Sequence, residues 1–246
     1  MDGQTILDEI NFEIKQGEQW AILGLNGSGK TSLLNIISAY QFPSSGEVEL
    51  LGETFGKTYM PDLRKRIGLI SNSLERFSDY YRNQKIEDVV LSGKYSSFGI
   101  YETVEAEDYI EVDELLQQFS IQNYKGKPFH QLSEGEKRRV LIARAMMSQP
   151  EVLILDEPCS GLDLQSREQF LQSLEYVIER GTHLIYVTHH LEEILPFMTH
   201  VLLLKEGKIV AKGTKEEMIT AKWLSETMNV PVEVQYVNNR PYVTVK

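Results

Sequence analysis

Several things are scarce in this chain, and each scarcity closes off a class of proteins. Cysteine occurs once, at Cys159 in 246 residues, which excludes an internal disulfide and fits a reducing compartment. No apolar run approaches the roughly 20 residues of a membrane-spanning helix, so a role at a membrane has to come through a partner. The first residues hold no basic segment followed by an apolar core, and no signal peptide is expected. Positive charge is in the minority. The formal charge of -11 argues against a general nucleic-acid binder, because a phosphate backbone needs a basic surface. A single nucleotide remains compatible with that balance, since one local nest of donors holds its phosphates. The length allows one sizeable core, or one core with a smaller satellite lobe. No internal repeat or low-complexity linker interrupts it.

What the chain does contain is Gly24-Leu25-Asn26-Gly27-Ser28-Gly29-Lys30-Thr31, which fits G-x-x-x-x-G-K-S/T, the phosphate-binding P-loop. The short apolar run Trp20-Ala21-Ile22-Leu23 before it suits a buried strand, and Leu33, Leu34, Ile36 and Ile37 after it suit a helix packed on a sheet. Glycines permit backbone angles closed to other residues and let the chain come close to a phosphate. Successive N–H groups at a helix N-terminus then form an anion nest. Lys30 is placed to reach the β- and γ-phosphates, and the Thr31 hydroxyl to complete a Mg²⁺ shell. The competing reading is a glycine-rich turn that happens to precede a helix. Such a pattern arises by chance in roughly one chain in a hundred of this length, so it points to a nucleotide site. It does not name the task, because kinases, GTPases and motors share it.

The rest of the chain reads as alternating strands and helices. Ile6, Ile10, Phe12 and Ile14 largely alternate over residues 5–14, predicting a strand, with a turn at Lys15-Gln16-Gly17-Glu18. Pro43-Ser44-Ser45-Gly46 turns into a predicted antiparallel strand over residues 47–51, ended by Gly52. Residues 67–71 form another short apolar strand. From about residue 75 the spacing becomes helical, through Ile86, Val89, Val90 and Leu91. A second helix over residues 105–119 carries Ile110, Leu115, Leu116 and Phe119. It opens in an acidic stretch (Glu102, Glu105, Glu107, Asp108, Glu111, Asp113, Glu114) in which no base is interleaved. That stretch is read as a solvated helix face rather than a metal cluster. Tyr80, Tyr81, Tyr95, Phe98 and Tyr101 flank this region and are read as packing or partner-contact residues.

Chemistry returns after residue 130. Leu132-Ser133-Glu134-Gly135-Glu136 opens a helix running through Arg144. Ser133 followed by Glu136 three residues later has the form of a capping box. Lys137, Arg138, Arg139 and Arg144 on that helix are read as solvent or salt-bridge residues. Val152-Leu153-Ile154-Leu155 is a fully apolar strand that runs into Asp156-Glu157-Pro158. Two adjacent carboxylates at the end of a buried strand are costly unless a cation or a proton transfer uses them. Ser160-Gly161-Leu162-Asp163 follows, then a helix over about 165–179. Residues 183–188 form a further strand with His189 at its C-terminal tip, where α/β sheets place ligands. Residues 201–204 and 209–210 bracket a Glu206-Gly207 turn as a hairpin. Val232, Val234 and Tyr236, a turn at Asn238-Asn239, then Val243 and Val245 form a second one.

Taken together, these motifs resemble the ATP-binding cassette ATPases over nearly the whole chain. Residues 24–31 resemble the Walker A loop, 132–136 the signature LSGGQ, and 153–156 with Glu157 Walker B and its catalytic carboxylate. Residues 160–163 resemble the D-loop, and His189 the switch histidine. The resemblance implies an α/β fold: a P-loop NTPase core with a mostly parallel sheet, an antiparallel β-subdomain and an inserted helical subdomain. A single cassette domain is expected, with its core at 1–74 and 151–230, the helical lobe at 75–150 and a C-terminal hairpin tail at 231–246. The resemblance also implies a head-to-tail dimer, a homodimer or a pair with a related cassette, that sandwiches two ATP molecules. Catalysis is assigned to Glu157, which orients or deprotonates the attacking water, and to His189, which senses the γ-phosphate. ATP contacts are assigned to Gly24, Asn26, Gly27, Ser28, Gly29, Lys30, Thr31 and Ser32, and in trans to Ser133, Gly135, Glu136 and Asp163. Mg²⁺ is assigned to Thr31, Asp156 and Asn72.

The chain departs from the family's pattern in three places. Asn72 stands beside Ser71 where the family has Gln, one methylene longer, so a looser Mg²⁺ contact and relay to the membrane partner are expected. Glu134 and Glu136 replace residues of the signature, setting an acid near a triphosphate. The strand and adenine-stacking aromatic that the family carries upstream of residues 3–7 have no counterpart after Met1. ATP and GTP are accordingly expected to bind within a few-fold of each other, unless Tyr40 or another aromatic covers the base. The resemblance implies the ATPase subunit of a membrane transporter. Such a subunit would be cytoplasmic, peripheral on the inner face of the cell membrane through a separate transmembrane permease, and without direct nucleic-acid binding. The rival is a soluble cassette acting in translation or DNA repair. Those usually fuse two cassettes or insert a long coiled coil, for which the span from Lys30 to Ser133 has no room.

Overall fold

The computed structural model describes residues 5–71, 78–95 and 103–246. In chain order its elements begin with β1 (Trp20–Leu23), α1 (Lys30–Ile37), β2 (Glu49–Leu50), β3 (Glu53–Thr54), α2 (Met60–Lys65) and β4 (Ile67–Ser71). There follow α3 (Ser78–Tyr81), α4 (Ile86–Leu91), α5 (Ala106–Gln118), α6 (Glu134–Met147), β5 (Val152–Asp156) and α7 (Leu164–Glu179). The chain closes with β6 (His183–Thr188), β7 (His200–Lys205), β8 (Lys208–Thr214), α8 (Lys215–Met218), α9 (Ala221–Met228), β9 (Val232–Val237) and β10 (Arg240–Val245). These divide into two compact units: the residues up to Met60 with His183–Lys246, and Pro61–Thr182.

The first unit is built around β1, which pairs in parallel with β6 on one side and β7 on the other. A strand with neighbours on both edges and cover on both faces has no side left for water, which is why Trp20, Ala21, Ile22 and Leu23 are apolar without alternation. Burying Ile22 or Leu23 fully contributes about 1.5–3 kcal/mol. Trp20 stacks on His200, its register partner in β7, at 4.9 Å between ring centres. The expected hairpin β7–β8 is present, turning at Glu206 (φ 48°) and Gly207 (φ 77°). So is β9–β10, turning at Asn238 and Asn239, both left-handed as a tight hairpin demands.

Residues 5–14 are not a strand. Their backbone touches the fold through single bonds, from the Asp8 N–H to the Gly207 carbonyl and from the Lys212 ammonium to the Asn11 carbonyl. Glu9 has φ 51°, which interrupts an extended run, and Ile6 is exposed. The side chains do alternate, but no ladder partner accompanies them among the described residues. The strand expected over 47–51 is also shorter. Leu51 and Gly52 are both left-handed and turn β2 into β3 after two residues.

In the second unit β4 and β5 run parallel, Ile67 opposite Val152 and Ser71 opposite Asp156. A Cβ on Gly68 would lie 2.8 Å from Leu153 Cδ1, so the glycine permits that approach. Helices α4, α5 and α6 pack on one another and share a core of Ile86, Val89, Val112, Leu115, Phe119 and Ile142. Ile110 does not belong to the apolar face of α5. It is exposed. The acidic stretch does meet bases, supplied from elsewhere in the unit: Asp108 pairs with Lys94, Asp113 with Lys125 and Glu111 with Arg180. Among the described residues no cluster of His, Cys, Asp and Glu could hold a metal ion. Of the flanking aromatics, Tyr81 is buried and packs edge-on against Phe129, while Tyr80 is exposed. Phe98, Tyr101 and Glu102 lie outside the described residues.

Candidate functional site

The residues singled out from the sequence fall into one group in each unit. In the first unit, residues 24–29 make a tight loop between β1 and α1. A Cβ on Gly24 would sit 2.4 Å from the Leu204 carbonyl oxygen and 2.5 Å from Ser28 Oγ, so no larger residue fits there. Gly27 and Gly29 have φ of 81° and 102°, the left-handed region that a side chain resists. Lys30, only 6% exposed, folds its ammonium back onto the carbonyls of Gly24 at 2.8 Å and Leu25 at 3.1 Å. Ser28 Oγ is buried and has no hydrogen-bond partner among the described residues. Helix α1 has no side-chain cap and no acidic residue in its first turn. Its positive end is therefore not neutralised by the helix's own carboxylates. A buried cation, an unpartnered hydroxyl and a bare helix N-terminus in one loop make a receptor for an anion. Thr31 and Asn26 are exposed and Ser32 half-buried at the same loop.

His189 follows β6 immediately, in the same unit, and is half-buried against the ring of His190 at 4.1 Å between centres. The parallel pairing of β6 with β1 confirms that the histidine stands at the C-terminal edge of a parallel sheet.

In the second unit, Asp156 ends β5 and Glu157 turns out of the strand with φ 47°. A non-glycine residue in this region carries local strain, which gathers at functional positions. The strain is held by a residue that the sequence suggested as a solvent or salt-bridge residue. Arg138 on α6 is 8% exposed and donates to the backbone carbonyls of Glu157, Pro158 and Ser160. Its signal in the sequence was phase: it lies three residues after Gly135 and four before Ile142, on the buried stripe of the helix. Arg138→Ala takes the guanidinium from three carbonyls, of which that of Glu157 keeps the Ser160 N–H, and the expected loss of stability is about 2–3 kcal/mol, read as a lowered midpoint in urea unfolding. An unchanged midpoint would show that water replaces the guanidinium.

Ser133 caps α6 in the expected capping box: its hydroxyl accepts the Glu136 N–H at 3.4 Å, and Glu136 accepts the Ser133 N–H at 2.7 Å. Burial pushes the Glu136 carboxyl up. The Tyr124 hydroxyl, the Ser133 donors and the Arg139 guanidinium outweigh it and hold the carboxyl below the ordinary range. The acid that replaces the signature's amide is thus bonded into its own helix end. Arg139, also expected as a solvent or salt-bridge residue, is buried and bonded to Gln169. Gly135 has a packing reason to be glycine, because a Cβ there would lie 2.8 Å from Ser166 Cβ on α7. Asp163 caps α7, accepting the N–H and hydroxyl of Ser166, the first of which chiefly holds its carboxyl below the usual range. Ser133, Glu136 and Asp163 line one cavity of about 620 Å³ with Tyr124, Arg139 and Gln169. Asn72 lies outside the described residues.

A protein-family model described as ABC transporter matches residues 7–160. An uncharacterised ABC transporter ATP-binding protein of Bacillus subtilis, YlmA, is 42% identical over 99% of this chain and 92% of its own length. CbiO1 of Clostridium perfringens, described as part of the ABC transporter complex CbiONQ, superposes with a TM-score of 0.77 at 31% identity, over 91% of this chain and 88% of that one. A dimeric post-hydrolysis structure of the ATP-binding cassette MJ0796, bound to ADP and phosphate, gives a TM-score of 0.70 at 26% identity over 87% and 93%. Among the described residues no helix is long and apolar enough to cross a membrane.

Proposed function

Because the chain belongs to the ABC transporter family, as one of its ATP-binding and ATP-hydrolysing subunits, we propose that two cassettes pair head to tail and drive a separate transmembrane permease. The observation that carries this reading is the loop at residues 24–31, where the Lys30 cation and the unpartnered Ser28 hydroxyl stand ready for phosphate. Gly24, Asn26, Gly27, Ser28, Gly29, Lys30, Thr31 and Ser32 cradle the triphosphate of ATP. Ser133, Gly135, Glu136 and Asp163 close over it from the partner cassette. Glu157 accepts the proton of the attacking water and His189 hydrogen-bonds the γ-phosphate.

The residues present fit Mg²⁺, which protein sites hold through one or two oxygen ligands and the substrate's phosphates. Thr31, Asp156 and Asn72 would hold it. When bound, it would supply positive charge that offsets the negative charge developing on the transferred phosphoryl group. We assign the core to residues 1–74 and 151–230, the helical lobe that docks on the permease to 75–150, and a hairpin tail to 231–246. The place of action is the cytoplasmic face of the membrane. The rival reading, a soluble cassette in translation or DNA repair, finds no support among the named relatives.

Mixing two inactive variants tests the arrangement in trans. Lys30→Ala damages one side of each site and Ser133→Arg the other. A head-to-tail heterodimer of the two carries both lesions in one site and leaves its second site intact. Independent sites and random pairing then return up to about a quarter of wild-type ATPase activity. A mixture as inactive as its components would mean that each chain completes its own site.

A further inference from the structure

The residues that follow β6 fix where the His189 imidazole stands, and they are anchored by groups with no part in nucleotide contact. Glu193 is only 2% exposed. A carboxylate so far from water is costly unless its oxygens are bonded, and here they are. The hydroxyls of Tyr186 and Thr188 donate to the same oxygen, Oε2, at 2.9 and 2.7 Å. Tyr186 and Thr188 are two apart in β6, so they project from one face of the strand. The Thr188 hydroxyl in turn accepts the His190 N–H at 3.0 Å. Thr188 and His190 flank His189, and a single hydroxyl pins both. Glu193 ties that hydroxyl to the far end of the loop, where Leu191–Glu193 form one short helical turn.

The loop has a second anchor. Arg240, at the start of β10, donates from Nε at 2.9 Å and from Nη2 at 2.6 Å to the carbonyl of Glu192. The C-terminal hairpin therefore grips the residue beside Glu193 by its backbone. Apolar packing needs neither a buried carboxylate nor a doubly donating guanidinium here. Fixing the path of a loop does, because hydrogen bonds set direction as well as distance.

We propose that Thr188, Glu193 and Arg240 are positioning residues for His189, so that the C-terminal hairpin belongs to the apparatus that sets the switch histidine. This rests on reading His189 as the γ-phosphate contact. A misplacement of 1 Å is enough to cost about 10²-fold in rate, while ATP affinity is set mainly by the loop at 24–31. Loss of an anchor should therefore lower kcat and spare KM.

Steady-state ATPase kinetics on the full chain decide it, with His189→Ala as the reference. Thr188→Val, which keeps shape and drops the hydroxyl, is expected to lower kcat about 10-fold with KM for ATP held within about twofold. Glu193→Ala should do the same. Glu193→Gln, whose amide oxygen still accepts both hydroxyls, should return to within about threefold of wild type. The Thr188→Val, Glu193→Ala double variant should be no slower than the worse single, since the residues share one network. Arg240→Ala should cost about threefold in kcat. If Glu193→Ala does not fold, the Thr188 and Arg240 variants carry the test alone. Normal kcat in both of them, beside an inactive His189→Ala, overturns the positioning role and leaves the histidine reading standing. Normal kcat in His189→Ala overturns the histidine reading itself.

Discussion

Replacing Glu157 by glutamine is expected to lower ATP turnover by about 10²–10⁴-fold, the span over which a positioned general base contributes, while ATP still binds. The geometry explains why the two effects separate. Glu157 is held at φ 47° by its backbone, and its carbonyl is secured by Arg138. Glutamine has the same size and the same backbone demands, so the turn after β5 should persist. Only the capacity to take a proton is removed. The bound triphosphate then survives, and with it the closed pair of cassettes. Size-exclusion chromatography with Mg²⁺ and ATP should show the variant eluting as a dimer and the wild type returning to monomer as ATP is consumed. Wild-type turnover in the variant would assign the base to another group.

The second large effect belongs to Lys30→Ala. Hydrogen bonds to a charged group contribute about 1.5–3 kcal/mol each, and each 1.4 kcal/mol is about tenfold in affinity. Losing an ammonium that serves two phosphates should weaken ATP binding by about 10²-fold or more, and ATPase activity should collapse with it. The apo protein should hardly notice. Lys30 is buried, and its ammonium bonds to two carbonyls of its own loop, at Gly24 and Leu25. Removing it also removes the cost of burying a charge. Calorimetric titration of ATP, run beside a thermal melt without nucleotide, checks both halves. Normal ATP affinity would sink the phosphate role of Lys30. A collapsed melting temperature would show that the lysine is structural.

How far the sequence could be read depended on how far apart the partners are along the chain. The loop at 24–31 was legible because its glycines, lysine and serine are neighbours whose spacing alone shapes the nest. The Ser133–Glu136 capping box was legible for the same reason, since both bonds close within three residues. So were β1, β5 and β6, whose unbroken apolar runs require cover on both faces. Arg138 was misread because its three carbonyl acceptors lie about 20 residues away, at 157–160. The acidic stretch showed no base of its own for a similar reason: Lys94, Lys125 and Arg180 arrive from other elements.

The sequence by itself determined the local chemistry: a phosphate nest, a capped helix, adjacent carboxylates at a strand end, a histidine at the tip of another strand. These follow from backbone angles and short-range hydrogen bonds, which a few contiguous residues dictate. Only the tertiary structure decided that residues 5–14 form no strand, because a strand exists only where a partner edge completes its ladder. It alone brought Arg240 to the carbonyl of Glu192, 48 residues away, and so joined the C-terminal hairpin to the histidine loop. Nothing in the local pattern around either residue encodes that bond. It forms because the folded chain leaves a backbone carbonyl within reach of a guanidinium, and long-range proximity of that kind is a property of packing.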